Sequence, residues 1–203
     1  MPEKRSQLQV DEQAVHAWLT VQGAQNDFVS WAQPFGPDVV ALWQACPRGD
    51  WLLALAARLN AEPRTLVLAA CRCAQNALDH LPPEQTNVVS CLQTIRAWAE
   101  GSDVGLSIET LDGMRSQLEA ARDQAQDQAQ AEAALAAVAA LETISDPAFA
   151  ASAAAFAAQA TMVSAADCAT LEALRFAQHQ SAESTRTALS SAVISDLWSQ
   201  RRR

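Results

Sequence analysis

The sequence predicts an all-α protein, a single multi-helix bundle of about seven to eight helices in loose, solenoid-like helix–turn–helix packing. Three observations predict it. Apolar residues recur every three or four positions along most of the 203-residue chain. Pro, Gly, Asp and Ser punctuate that pattern where helices start and stop. No segment alternates apolar and polar residues at the strand period, and no repeat of fixed length appears.

Residues 1–10 read as a flexible lead-in. Asp11 can cap a helix to about Gln22, with Val15, Trp18, Leu19 and Gln22 at helical spacing and Gly23 as its stop. Asn26 to Pro37 holds Phe28, Trp31 and Phe35 among Pro34, Gly36 and Pro37, which predicts an aromatic loop plugging one end of the core. Asp38 caps a short helix through Val39, Val40, Leu42 and Trp43.

Cys46-Pro47-Arg48-Gly49-Asp50 then reads as a tight turn. Pro47 disfavours helix at Cys46, Gly49 is free to take positive φ, and Asp50 is placed to cap the helix that begins at Trp51. Leu52, Leu55, Ala56 and Leu59 form its inner face, and Asn60 suits its C-terminal cap. Pro63 suits the first turn of the next helix, expected over Pro63 to His80. That helix is apolar round most of its girth, which predicts the central rod of the core. Its one polar stripe is Arg72, Gln75, Asn76 and Asp79, and Pro82-Pro83 ends it.

A further helix follows, with Glu84 in its first turn and Val88, Leu92, Ile95 and Ala99 inward, up to Gly101. Gly101 to Gly105 is the best internal boundary. Ser107 caps a long helix that keeps its period through Ile108, Leu111, Arg115 and Leu118. It then carries alanine every fourth residue at 121, 125, 129 and 133, and ends near Leu141. Alanine combines high helix propensity with a small side chain, so such a stripe lets helices approach closely. Ser145-Asp146-Pro147 restarts the chain, and Phe149, Ala153, Phe156, Ala160 and Val163 line up as the inward face of the next helix. The last helix runs from about Ala165 to Leu197. Its polar middle, His179 to Thr187, is expected to break or lie exposed. The organisation is thus a core helical half over 11–101, an Ala-rich half over 106–198 packed on it, and a basic tail over 199–203.

The formal net charge of -9 argues against nucleic acid and anionic membranes as partners. The N-terminus has charge but no apolar run after it, so no signal peptide is read, and no window approaches a membrane span. Five cysteines, 46, 71, 73, 91 and 168, lie mostly on apolar faces, which suits reduced core thiols in the cytoplasm. Residues 71 and 73 sit about 200° apart round a helix and cannot share a metal or a disulfide there.

His16, His80 and His179 show no ligand spacing, and no phosphate loop or nucleophile elbow is present, so no catalytic residue, metal site or cofactor is assigned. Arg48-Gly49-Asp50 spells an adhesion tripeptide, but Asp50 has the capping role as its simpler reason. Arg72 and Asp79 on a buried helix call for partners, as a structural ion pair or as the lining of a pocket. The triple Arg at the end suits a helix C-terminus.

Leu42-Trp43-Gln44-Ala45-Cys46-Pro47-Arg48-Gly49-Asp50-Trp51-Leu52-Leu53, then Leu66-Val67-Leu68-Ala69-Ala70-Cys71, then Ile95-Arg96-Ala97-Trp98-Ala99-Glu100-Gly101 resemble a bacterial family of immunity proteins of polymorphic toxin systems. The resemblance spans roughly residues 38–170. It implies a non-enzymatic helical protein that neutralises a partner toxin by occlusion, and it brings no catalytic residues. With an acidic chain the expected partner is a basic protein. Asp50, Trp51, Glu100 and Asp103 are the expected contact residues, the acids being read as exposed. Two alternatives stand beside this. One is a scaffold that dimerises through the Ala-rich helices 107–141 and 147–164. The other is a ligand receptor or enzyme whose pocket is lined by Arg72, Gln75, Asn76 and Asp79.

Overall fold

The structure, a computed structural model, describes residues 14–103, 105–166 and 171–201, without the side chains of Ala148 and Phe149. The lead-in, the Asp11 cap, Cys168, Arg202 and Arg203 lie outside the described residues. Eleven α-helices and no strand are present among those described, more than the sequence pattern predicts. They fall into two compact units, one from the chain up to Cys46 with the stretch from Ser190 onward, the other from Pro47 to Leu189. This division follows contacts rather than the sequence-order halves at 11–101 and 106–198.

The first unit holds α1 (Val15–Val21), α2 (Asn26–Ala32), α3 (Val39–Ala45) and α11 (Ser191–Gln200). The segment expected as an aromatic loop is instead α2 followed by a 3-10 turn at Gln33–Phe35. Its prolines all lie beyond Ala32, so nothing prevents helix before them. Phe28 is buried, and Trp31 lies against both Phe28 and Phe35 at centroid distances of 6.5 and 4.9 Å. Asp38 caps α3 as expected, accepting from Ala41 N–H at 2.9 Å. Helix α11 packs on α3 and buries Ile194 and Trp198. The basic tail is not simply solvated at its first residue. Ser199 and Gln200 finish α11, and the Arg201 guanidinium lies over the Trp198 ring while its Nη1 donates to Trp198 O at 2.7 Å.

The second unit holds α4 (Gly49–Arg58), α5 (Pro63–Gln75), α6 (Thr86–Ala99), α7 (Ile108–Asp123), α8 (Gln128–Glu142), α9 (Pro147–Ser164) and α10 (Leu171–Ala188). Helix α5 is its centre, touching α4, α6, α8, α9 and α10 and burying Leu66, Val67, Ala70, Cys73 and Ala74. It stops at Gln75, short of His80. The chain turns at Asn76 and Ala77 and re-forms as a 3-10 turn over Leu78–His80, because Leu81 before Pro82 must be extended, and is (ψ 145). Helix α6 starts at Thr86 rather than at Glu84.

Two further differences share one cause: a cap that overrides the apolar period. Asp127 accepts from Gln130 N–H at 2.8 Å and divides the expected 107–141 helix into α7 and α8. Ser190 accepts from Val193 N–H at 3.4 Å and separates α11 from α10, which itself runs unbroken through His179 to Thr187. The buried line of α7 is Met114, Leu118 and Ala121, while Ile108 is 80% exposed.

Helices α8 and α9 make the most extensive contact in the unit. Both helices bury alanines, at 133, 136, 137 and 140 in α8 and at 151, 154, 155 and 158 in α9. Small side chains allow backbones to approach closely, and they also exclude bulky ones. The expected inward line of α9 is therefore turned round. Phe156 is 59% exposed and Ala160 and Val163 are half-buried, while the alanine face is inside.

Candidate functional site

A groove of about 370 Å³ runs between α9 and α10. Phe156, Ala160 and Val163 form one wall and Leu174 the other, with the amides of Gln128, Gln159 and Gln178 at its edges. Leu174 is 36% exposed, and Leu171 and Phe176 nearby on α10 are more exposed still. Phe176 lies about 200° round α10 from Leu174, so the apolar lining of the groove is Phe156, Ala160, Val163 and Leu174, and large apolar side chains left open along a groove mark a binding surface.

Its floor is built by the turn that precedes α4. Arg48 takes the N-cap position and Asp50 the first turn, so the expected Asp50 cap is corrected. Asp50 is also not an exposed acid. It is 5% exposed, accepting from Arg48 Nε at 3.1 Å and Nη2 at 2.6 Å, and from Gln159 Nε2 at 3.3 Å. The guanidinium lies 4.2 Å from the Trp51 ring centroid, and Trp51 is buried beneath it. The two charges offset each other, so the groove presents a neutral floor under apolar walls. Gly49 has no positive φ, contrary to expectation. It is buried against Ser181 of α10, and a Cβ there would lie 2.6 Å from the Ser181 carbonyl oxygen.

Beside the groove lies a notch of about 420 Å³ that shares Gln128 and Ser164 with it and is edged by His80 and Asp127. On another face, about 350 Å³ opens between α5, α6 and α10, lined by the buried Cys71 and by Arg72, Gln75, Arg96, Glu183, Ser184 and Thr187. Two of the four stripe residues, Arg72 and Gln75, thus line a depression. Asn76 donates to Ser184 Oγ at 3.1 Å, and Asp79 is exposed on the 3-10 turn, outside it. Glu100 pairs with Arg96 at 2.9 Å, and Asp103 is exposed. Asp50, Trp51, Glu100 and Asp103 do not form one surface: two are buried and two are exposed.

Cys46, Cys71, Cys73 and Cys91 are buried, and none forms a disulfide among the described residues. Burial pushes Cys71 up to about 12 and raises Cys73 and Cys91 as well. Cys73 Sγ lies 3.5 Å from Thr185 Oγ1 and 3.6 Å from Ser181 O, which explains polar residues on the inner face of α10. Among the described residues no three His, Cys, Asp or Glu side chains gather as metal ligands, and no helix is long and apolar enough to cross a membrane.

The residues missed by sequence reasoning are Phe156 and Val163, taken for core, and Leu174, given no role. The signal was present: on a helix with alanine on the opposite face, the bulky residues are the ones that cannot fit a close helix–helix contact. No family model matches the chain, and no curated protein or solved structure matches it either.

Proposed function

We propose that the chain is a non-enzymatic cytoplasmic binding protein of immunity type, which neutralises a partner protein by seating part of it in the α9–α10 groove. The observation that carries this is the apolar groove itself, with Phe156 59% exposed opposite Leu174. Large apolar anchors supply most of the energy of protein interfaces, and a neutral floor lets them be desolvated cheaply. The resemblance at Leu42–Leu53, Leu66–Cys71 and Ile95–Gly101 gives the biological setting. The net charge of -9 favours approach by a basic partner. A scaffold dimerising through alanine faces fits the geometry less well, since α8 and α9 already bury those alanines.

The test is titration calorimetry against the purified product of the gene adjacent to this one, at low salt. Phe156→Asp and Leu174→Asp should each weaken binding by about 2 kcal/mol, roughly thirtyfold, with helix content unchanged. Full affinity in both variants removes the groove from the account. No binding by the unmodified chain removes the immunity reading.

A further inference from the structure

The depression between α5, α6 and α10 has a charge pattern unlike the rest of this acidic chain. Arg96 pairs with Glu100 at 2.9 Å and Glu183 with Arg186 at 2.6 Å. Arg72 is half-buried and makes no ion pair among the described residues. Two guanidiniums, of Arg72 and Arg96, and one carboxylate, of Glu183, line the opening, and the latter two are already paired, on a protein of net charge -9. A half-buried guanidinium without an anion is an unfilled bidentate donor, its fork shaped for a carboxylate or phosphoryl group.

The hydroxyls beside it are already sorted into donors and acceptors. Thr187 Oγ1 donates to Glu183 O at 2.8 Å, which leaves its oxygen only to accept. Asn76 donates to Ser184 Oγ at 3.1 Å, and the Ser184 proton has no acceptor among the described residues. That proton and the Arg72 fork border the same opening, of about 350 Å³, at the lower end of the size range for small-molecule sites. Cys71 stays a neutral thiol and adds no negative charge, and the one carboxylate lining the opening, Glu183, is held by Arg186 at 2.6 Å.

We propose that this depression binds the oxyanion head of a small metabolite, a carboxylate or phosphoryl group, with Arg72 as bidentate donor and Ser184 as second donor. The site lies apart from the α9–α10 groove and does not rest on the protein-binding reading.

The experiment is an NMR titration of the full chain with sodium phosphate and, separately, sodium acetate, at constant ionic strength set with chloride. The Arg72 Nε–H and Ser184 amide signals should shift saturably with at least one anion. Saturation by phosphate alone assigns a phosphoryl ligand, and by acetate alone a carboxylate. Arg72→Gln should weaken binding at least tenfold, and Ser184→Ala severalfold. Arg64→Gln, whose guanidinium lies over Trp98 and outside the depression, should change nothing. Linear, unsaturable drift with both salts overturns the proposal, as does saturation that survives in Arg72→Gln. Should Arg72→Gln not fold, the wild-type titration and Ser184→Ala decide alone: saturation mapped to other signals, or unaffected by Ser184→Ala, overturns it.

Discussion

Replacing Gly49 by Ala tests how closely α4 and α10 approach beneath the groove. At an ordinary helical position this change stabilises, by up to about 1 kcal/mol from helix propensity and a less flexible unfolded chain. Gly49 has an ordinary backbone, so the local effect has that sign. The tertiary effect opposes it. The new Cβ would sit 2.5 and 2.6 Å from the Ser181 backbone C and O, and nearer still to Ser181 Oγ. Carbon contacts are comfortable at about 3.5–4.0 Å, so the helices must part by roughly 1 Å. Overpacking of that kind costs about 1–3 kcal/mol, and a backbone obstacle cannot rotate away. The net expectation is destabilisation by about 2 kcal/mol, which lowers the urea midpoint by about 1 M at an m-value of about 2 kcal/mol/M. Ser181→Ala in the same chain should recover only part of the loss, because the carbonyl stays. The assay is urea unfolding followed by far-UV circular dichroism. A Gly49→Ala midpoint equal to or above the parent would refute the close approach, and with it the floor assigned to the groove.

Asp50→Ala removes the acceptor of Arg48 and Gln159 and should cost about 3 kcal/mol in the same assay, at the low end of values for breaking a buried pair because Arg48 keeps 22% exposure. A loss below about 1 kcal/mol would mean that water already screens the pair. Cys46, Cys71, Cys73 and Cys91 should resist a thiol reagent at pH 8 until the chain unfolds, as mapped by mass spectrometry; rapid native labelling of Cys71 would contradict its burial. The raised pKa of Cys71 also gives a pH dependence. Only the unfolded thiol loses its proton between the ordinary 9.0 and about 12, so stability is full below pH 9 and falls as pH rises through that window. Cys71→Ala should flatten that alkaline decline in a pH series of urea midpoints, and an unchanged slope counts against it. Arg201→Ala removes a cation held over Trp198 and should cost about 1 kcal/mol, seen as earlier amide exchange in α11; unchanged exchange would show that the stacking adds nothing.

Much of the fold was legible because the residues that fix it act locally. Asp38 and Ser107 cap where expected, Pro63 and Pro147 open their helices, and Asn60, Gly23 and Gly101 close theirs with positive φ. The helix centred on Leu66 to Ala74 was readable as buried because it has almost no polar face. What failed was orientation on alanine-rich helices. Spacing identifies a line of large apolar residues, but close packing decides whether that line or its alanine complement faces inward. On α9 the short approach to α8 excludes Phe156 from the interface. Asp127-x-x-Gln130 spelled a cap, and the four-residue alanine period masked it. The Arg72 and Gln75 part of the polar stripe was traceable to a depression. Its completion by Arg96 and Ser184 depends on contacts more than 20 residues apart, which no local pattern encodes.

The most direct measurement is hydrogen exchange of the chain alone and in complex with the product of the adjacent gene. If partner docking occupies the groove, protection rises over residues 156–164 and 174–178 and stays unchanged over Arg72–Asn76 and α1 to α3. Protection confined to those latter segments, with the α9–α10 walls exchanging as freely as before, would contradict the account.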